Sequence, residues 1–290
     1  YFITKLYNVG MEHQVLEFHC PDRRPEKNDR NVPDEDFVKV DGNYFAVFDG
    51  VPVLFQDPYP NPSPGQKAAE TGANSVIEFL KKSDLKPLER LKEAFDFGNQ
   101  KIKKLNDDLG VTPKTVDYIS KQYAATVGVA GFIDNGVFYY GQISDCGIMA
   151  LDQFGNRELD IISAGQLVSP FLAQFENRGD FAPGSQEEHV YFRSKVVNHQ
   201  EIEFEGKKLN FGVLTGEKNA VQFVRYGAYE LIPGNTVLLY SDGFLPFVFD
   251  KDFAKIVLGG SKEKIEEEIL VREALDKKFA TEKSLIVINA

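Results

Sequence analysis

Carboxylates stand in this sequence at places where a backbone would hold them still. Asp34-Glu35-Asp36 precede the apolar run Tyr44 to Phe48, which stops at Asp49-Gly50, and Ser241-Asp242-Gly243 follows a second run, Thr236 to Tyr240. An acid at a strand end followed by glycine is rigidly placed, and the glycine lets its own carbonyl or a ligand come close. Several such sites converging would offer oxygen ligands to a hard divalent cation. Singly, each Asp-Gly is also ordinary turn chemistry, so the reading depends on their number and order along the chain.

Other chemistries find less support. His13, His19, His189 and His199 show no His-x-x-x-His spacing and read as surface or hydrogen-bonded polar residues, not zinc ligands. Cys20 followed by Arg23 and Arg24 invites a cysteine-phosphatase loop, but that loop needs five residues between Cys and Arg, and the required position is Glu26. Cys20 therefore reads as structural or surface, and Cys146, beside a strand, as a small buried hydrophobe. Two cysteines form neither a disulfide framework nor a four-cysteine zinc site, and the expected compartment is the cytoplasm. Gly128, Gly131 and Gly141 make no dinucleotide fingerprint, and there is no phosphate loop and no Ser-His-Asp signature.

Strands and helices must position the acids. Thr126 to Ile133 and Val137 to Gly141 are split by Asp134-Asn135-Gly136, a strong hairpin signal, and further strands are expected at Gly147 to Leu151 and Leu285 to Asn289. Leu91, Phe95, Ile102 and Leu105 lie along one face of a helix from Leu88. A second helix spans Lys67 to Lys82, the prolines of Asp57 to Gly65 forbidding helix before Gln66, and a third runs from Ser261, as N-cap, to Asp276. Sheets covered by helices make an α+β architecture; 24 Phe and 12 Tyr suit sheets packed face to face. One domain over 1–290 is expected, with 163–211 as an inserted loop or flap. The net charge of −11 repels phosphate backbones and anionic membranes, and no apolar run reaches the ~18–20 residues of a membrane span, so neither a nucleic-acid nor a membrane partner is expected.

Taken in order, Glu35-Asp36, Asp49-Gly50 thirteen residues after Asp36, Thr126, Ser144-Asp145, Ser241-Asp242-Gly243 and the terminal strand Ser284 to Ile288 resemble the metal-dependent Ser/Thr protein phosphatases of type 2C. The resemblance runs from about Arg30 to Ile288. It implies a four-layer α/β/β/α sandwich of two antiparallel sheets flanked by helices. It also implies hydrolysis of phosphoserine or phosphothreonine in a phosphoprotein substrate, through a centre of two Mg²⁺ or Mn²⁺ ions and a weaker third. By that resemblance Asp49 bridges the two ions and, with Asp242, is catalytic. The Gly50 carbonyl completes part of the shell, Glu35 or Asp36 contributes directly or through water, and Asp145 helps hold the third ion. Arg30 clamps the substrate phosphate, with Arg24 as its rival.

The sequence also departs from the family pattern. Val51 and Pro52 stand where glycines and often a histidine follow Asp-Gly, and Ser144-Asp145-Cys146 replaces a glycine-led turn. In the last cluster Thr281 stands at the place of a metal-binding Asp, so that either Glu282 reaches in as a ligand from a shifted loop or that metal site has lost a carboxylate. Two readings follow: a divergent active phosphatase, or a pseudophosphatase that serves as a regulatory or phosphoprotein-binding module.

Overall fold

Runs buried at nearly every position, not at alternate ones, form the central strands of both sheets at 126–133, 147–151, 236–240 and 283–288, because each of these is covered on two faces. A computed structural model describes residues 3–9, 13–24, 33–56, 58–161, 181–199, 201–204, 207–258 and 261–290. In chain order come β1 (Ile3–Val9), β2 (His13–Cys20), β3 (Phe37–Asp41) and β4 (Tyr44–Gly50), then helices α1 (Pro64–Lys82) and α2 (Pro87–Asp108). The hairpin β5 (Thr126–Asp134) and β6 (Val137–Ile143) leads to β7 (Gly147–Leu151), β8 (Arg157–Ile161) and the short helix α3 (Gln186–Tyr191). A small ribbon, β9 (Glu201–Phe204) and β10 (Lys207–Asn210), precedes β11 (Arg225–Glu230) and β12 (Thr236–Tyr240). Helices α4 (Leu245–Val248), α5 (Lys251–Leu258) and α6 (Lys262–Leu275) come before the last strand, β13 (Lys283–Asn289).

The strands form a six-stranded sheet, β1-β2-β13-β12-β7-β8, and a five-stranded sheet, β11-β6-β5-β4-β3, with every neighbouring pair antiparallel. The period of two in a strand sorts its side chains between cores. On β4, Phe45 and Val47 face the opposite sheet while Ala46 and Phe48 face α1 and α2. On β12 and β13, Val237, Leu239, Ile286 and Ile288 join the same inter-sheet core. Their neighbours Leu238, Tyr240, Leu285 and Val287 pack under α4 to α6 with Phe247, Phe253 and Ile269. Three apolar interiors between four layers are the expected α/β/β/α sandwich.

Local signals survive in detail. Asn135 (φ +49°) and Gly136 (φ +75°) both take the left-handed conformation of the two-residue hairpin turn. Leu91, Phe95 and Ile102 are buried on one face of α2, and the Ser261 hydroxyl accepts from the Lys264 amide as the cap of α6. Two expectations need correction. The run from Tyr44 does not end before Asp49: Asp49 and Gly50 pair with Val127 and Thr126, so the ladder to β5 carries the acid within the strand. Helix α1 begins at Pro64, not after Gln66, because proline at the first helical position lacks only an N–H that has no intrahelical partner there. The expected irregular flap, 163–211, includes α3 and the β9–β10 ribbon; its residues 163–180, 200, 205 and 206 lie outside the described ones.

Ser63 joins the helix to the acids. Its hydroxyl accepts from the Gln66 amide (3.0 Å) and donates a short hydrogen bond to Glu35 Oε1, which also accepts from Tyr59 (3.0 Å). Ser63→Ala removes the cap and one bond to a buried carboxylate together, and should cost about 2 kcal/mol in urea unfolding. A midpoint equal to the parent's would mean the cap does not fix this corner.

Candidate active site

Five loop and strand ends meet at one edge of the sandwich. Asp49 and Gly50 close β4, Asp242 and Gly243 open the tight turn after β12, and Glu35 and Asp36 lead into β3. Glu282 precedes β13, and Asp145 lies in the turn between β6 and β7. Glu35, Asp36, Asp49, Gly50, Asp242 and Glu282 line one cavity of about 430 Å³. A neighbouring cavity of about 210 Å³ shares Asp49, Gly50 and Asp242 and adds Asp145. Glu35, Asp36, Asp49, Asp145, Asp242 and Glu282 thus line one or the other of two adjoining cavities, while Asp34 lines neither and accepts from the Asp22 amide (3.0 Å).

Hydrogen bonds hold these groups in register. Thr126 Oγ1 donates to the Asp49 carbonyl (2.6 Å), and the Gly50 amide donates to the Glu35 carbonyl (3.1 Å). The Ser241 hydroxyl, fully buried, donates to Asp36 Oδ2 (2.7 Å) and accepts from the Ser284 amide (2.9 Å). Glu282 Oε1 accepts from the Asp36 amide (2.6 Å), so this side chain does reach the acidic loop. Glycine is required where strands and turns close on one another: a Cβ on Gly50 would lie 2.5 Å from the Gly65 carbonyl carbon, and one on Gly243 would collide with the Glu282 carbonyl oxygen.

Charge dominates the site. Burial, then the facing carboxylates of Asp36, Asp242, Asp145 and Glu282, push the Asp49 carboxyl well above its ordinary 3.8. Burial raises Asp36 and Asp145, and burial followed by Asp36 raises Glu282 well above 4.5. Carboxyls raised in the folded state bind protons more tightly than in the unfolded chain, so their contribution to stability is present in acid and lost as pH rises through the folded values. Surface acids held low by hydrogen bonds, such as Asp117 and Asp250, lose their contribution only below about pH 4. The metal-free protein should therefore lose thermal stability from about pH 4 towards neutrality, and Mn²⁺ should restore it. Melting curves in chelator and in Mn²⁺ test this, and a chelated profile that rises towards neutral pH would contradict it.

The donor set fits divalent cations. It is rich in carboxylate oxygens with the Gly50 carbonyl among them, and Asp145 Oδ1 is buried with no hydrogen-bond partner. Among the described residues one trio, His19, Asp36 and Glu282, brings possible ligand atoms within 4.8 Å of one another. His19 was missed in the sequence because its position depends on pairing: β2 sets it opposite Ser284 of β13, whose hydroxyl lies 3.0 Å from His19 Nδ1. No local spacing announces it.

The departures have physical accounts. Val51 donates its amide to the Ala125 carbonyl (2.9 Å) and packs against the inter-sheet core, so it serves the fold at this position. Ser144 adopts the left-handed conformation (φ +62°) that glycine would take without strain, and Gln142 Nε2 clamps the turn by donating to the Ser144 and Cys146 carbonyls. Both cysteines are buried; burial pushes the Cys20 thiol up to about 12, which removes the thiolate a cysteine phosphatase needs. Glu35 is committed to Ser63 and Tyr59 through one oxygen. Arg30 lies outside the described residues, and Arg24, at the rim of the larger cavity, is paired with Asp22 (2.6 Å).

No protein-family model matches the chain, and no curated protein matches it by sequence. Solved structures do. The serine/threonine phosphatase PstP/Ppp of Mycobacterium tuberculosis superposes with a TM-score of 0.61 at 17% identity, over 96% of this chain and 98% of the other. The catalytic domain of PstP in complex with two manganese ions gives 0.60 at 16% identity, over 96% and 97%. The serine/threonine phosphatase of S. agalactiae gives 0.59 at 14% identity, over the whole of both chains. This protein has the fold of the type 2C phosphatases.

Proposed function

We propose that the chain is a metal-dependent phosphatase acting, as a single unit, on phosphoserine or phosphothreonine in proteins. The observation that carries this reading is the convergence of Asp36, Asp49, Asp145, Asp242 and Glu282 on one edge of a sandwich shared with such phosphatases. A neighbour of the same fold holds two manganese ions. Asp49, Asp242 and the Gly50 carbonyl would hold Mg²⁺ or Mn²⁺, with Asp36 and Glu282 at the same cavity and Asp145 available to a third ion. Such cations, when bound, acidify a water and neutralise charge on phosphoryl oxygens.

The protein's own groups do the rest. Thr126 fixes the Asp49 backbone, Ser241 orients Asp36, and the Asp36 amide holds Glu282 towards the cleft. Arg30 and Arg24 are the phosphate-binding candidates on the chain segment before β3. Val51 offers no proton, so protonation of the departing alkoxide falls to water or to another residue of the site. The experiment is hydrolysis of a phosphothreonine peptide and an aryl phosphate with Mn²⁺, Mg²⁺ and chelator. Turnover that requires metal supports the phosphatase. Thr281, at the place of a ligand Asp, favours the second reading, a phosphoprotein-binding module; metal binding without turnover would select it.

A further inference from the structure

Helix α3 does not end cleanly. It passes into a π-helical turn, Phe192–Val196, closed by the Val197 amide donating to the Phe192 carbonyl five residues back (3.0 Å). Such widened turns cost hydrogen-bond geometry and recur where a side chain is re-aimed for a function. The turn is anchored to the body of the protein. Asn198, fully buried, donates to the Val213 carbonyl (2.9 Å) and accepts from the Val213 amide (2.8 Å), and its own amide donates to the Phe211 carbonyl (2.9 Å).

The second residue of that turn is Arg193, which lines the 210 Å³ cavity together with Asp49, Gly50, Asp145 and Asp242. Burial draws its guanidinium down to about 10 against the opposing pull of Asp145. Arg193 is half-buried, and a cation drawn partly out of water normally secures a paired anion, since the desolvation it suffers is otherwise unreturned. Arg193 has none: among the described residues no carboxylate forms an ion pair with it and no acceptor a hydrogen bond. The nearby Glu217 is engaged by Asn198 and Thr215, and Asp145 Oδ1 is without a partner. One wall of the cavity is therefore acidic and the other presents a planar five-donor fork with nothing to grip.

We propose that Arg193 is a substrate-binding residue that grips the non-bridging oxygens of a phosphoryl group from the flap side of the cleft, opposite the acids. This rests on the phosphatase reading above, which places cations at the acids. With those cations present the cavity is positive at both ends and takes a tetrahedral dianion; without them the acids repel it. The bidentate geometry of guanidinium and phosphate supplies the selectivity.

The test is calorimetric titration of inorganic phosphate into the Mn²⁺-loaded protein, for the parent, Arg193→Gln, Arg193→Lys and the exposed neighbour Lys195→Gln, with Mn²⁺ affinity measured beside it. Losing charge-assisted hydrogen bonds should weaken phosphate binding about 10- to 100-fold in Arg193→Gln. Arg193→Lys should fall between, Lys195→Gln should match the parent, and Mn²⁺ affinity should not change. Because Arg193 has no partner to lose, both variants should melt like the parent. Phosphate binding in Arg193→Gln as tight as in the parent would overturn the proposal, as would a parent that binds none. A change confined to Mn²⁺ affinity would also overturn it, making Arg193 a stand-in for a cation at Asp145. A parent that binds Mn²⁺ and phosphate but hydrolyses nothing would defeat the hydrolase reading, while the Arg193→Gln comparison would still decide the role of Arg193.

Discussion

Asp49→Asn should lower metal-dependent hydrolysis by more than about 100-fold, because even the residues that merely orient metal ligands are worth 10- to 100-fold and Asp49 lies at the centre of the cluster. The same substitution should raise the melting temperature of the protein in chelator. Asn keeps the size and shape of the side chain at the end of β4 but removes one of several like charges crowded into the cleft. In Mn²⁺ the order should reverse, since the parent gains binding free energy that the variant lacks. Asp242→Asn should show the same loss of turnover with a smaller change in the metal-free melt, because Asp242 is exposed at the mouth of the cleft. Scanning calorimetry with and without metal, run beside the hydrolysis assay, checks both halves. Turnover near the parent's in Asp49→Asn would remove Asp49 from the mechanism, and a lower melt in chelator would show that the acids do not repel one another as argued.

The second large effect is expected behind the site, at Lys283. This lysine is fully buried, and its Nζ donates to Glu273 Oε1 (2.7 Å) and to the Thr281 carbonyl (2.7 Å). Arg23 meets the other oxygen of Glu273 at 3.0 Å. Lys283→Met fills most of the space beside Phe247 but leaves the Glu273 carboxylate, 6% exposed, with only the partly exposed Arg23 to pair it. Breaking a buried pair from one side typically costs about 3–5 kcal/mol, whereas replacing both partners by apolar groups is close to neutral. Urea unfolding of Lys283→Met should show that loss, and Lys283→Met with Glu273→Leu should recover most of it. Lys283 also ties down the backbone next to Glu282, so the single variant should bind Mn²⁺ more weakly. A cost under about 1 kcal/mol would mean that Arg23 alone satisfies Glu273.

Much of the fold is legible in the sequence because it is local. The spacing of Leu91, Phe95 and Ile102 fixes a helix face through the 3.6-residue period, and Asp134-Asn135-Gly136 fixes a hairpin because both central residues tolerate positive φ. β1 and β2 were less visible. His13, Glu17 and His19 interrupt the apolar run of β2, and only its central place between β1 and β13 shows why the strand forms. Pro64 was misjudged through a local rule applied one position too far: proline forbids the interior of a helix and suits its first residue.

Within the candidate site the same division holds. Asp49 and Asp242 can be singled out from sequence because an acid ending a strand, with glycine after it, is a local pattern with a chemical use. That Glu282 turns towards Asp36 depends on a hydrogen bond between residues 246 positions apart. His19 enters beside them only through the β2–β13 register, and Arg193 only because a π-helical turn anchored at Asn198 aims it into the cavity. Sequence alone determined the long helices, the β5–β6 hairpin, the central strands β4, β7, β12 and β13 and the acids beside β4 and β12, since backbone preference and periodicity act over a few residues. Which distant side chains face one another was decided by strand order and register, and these are set by the burial of all three cores at once.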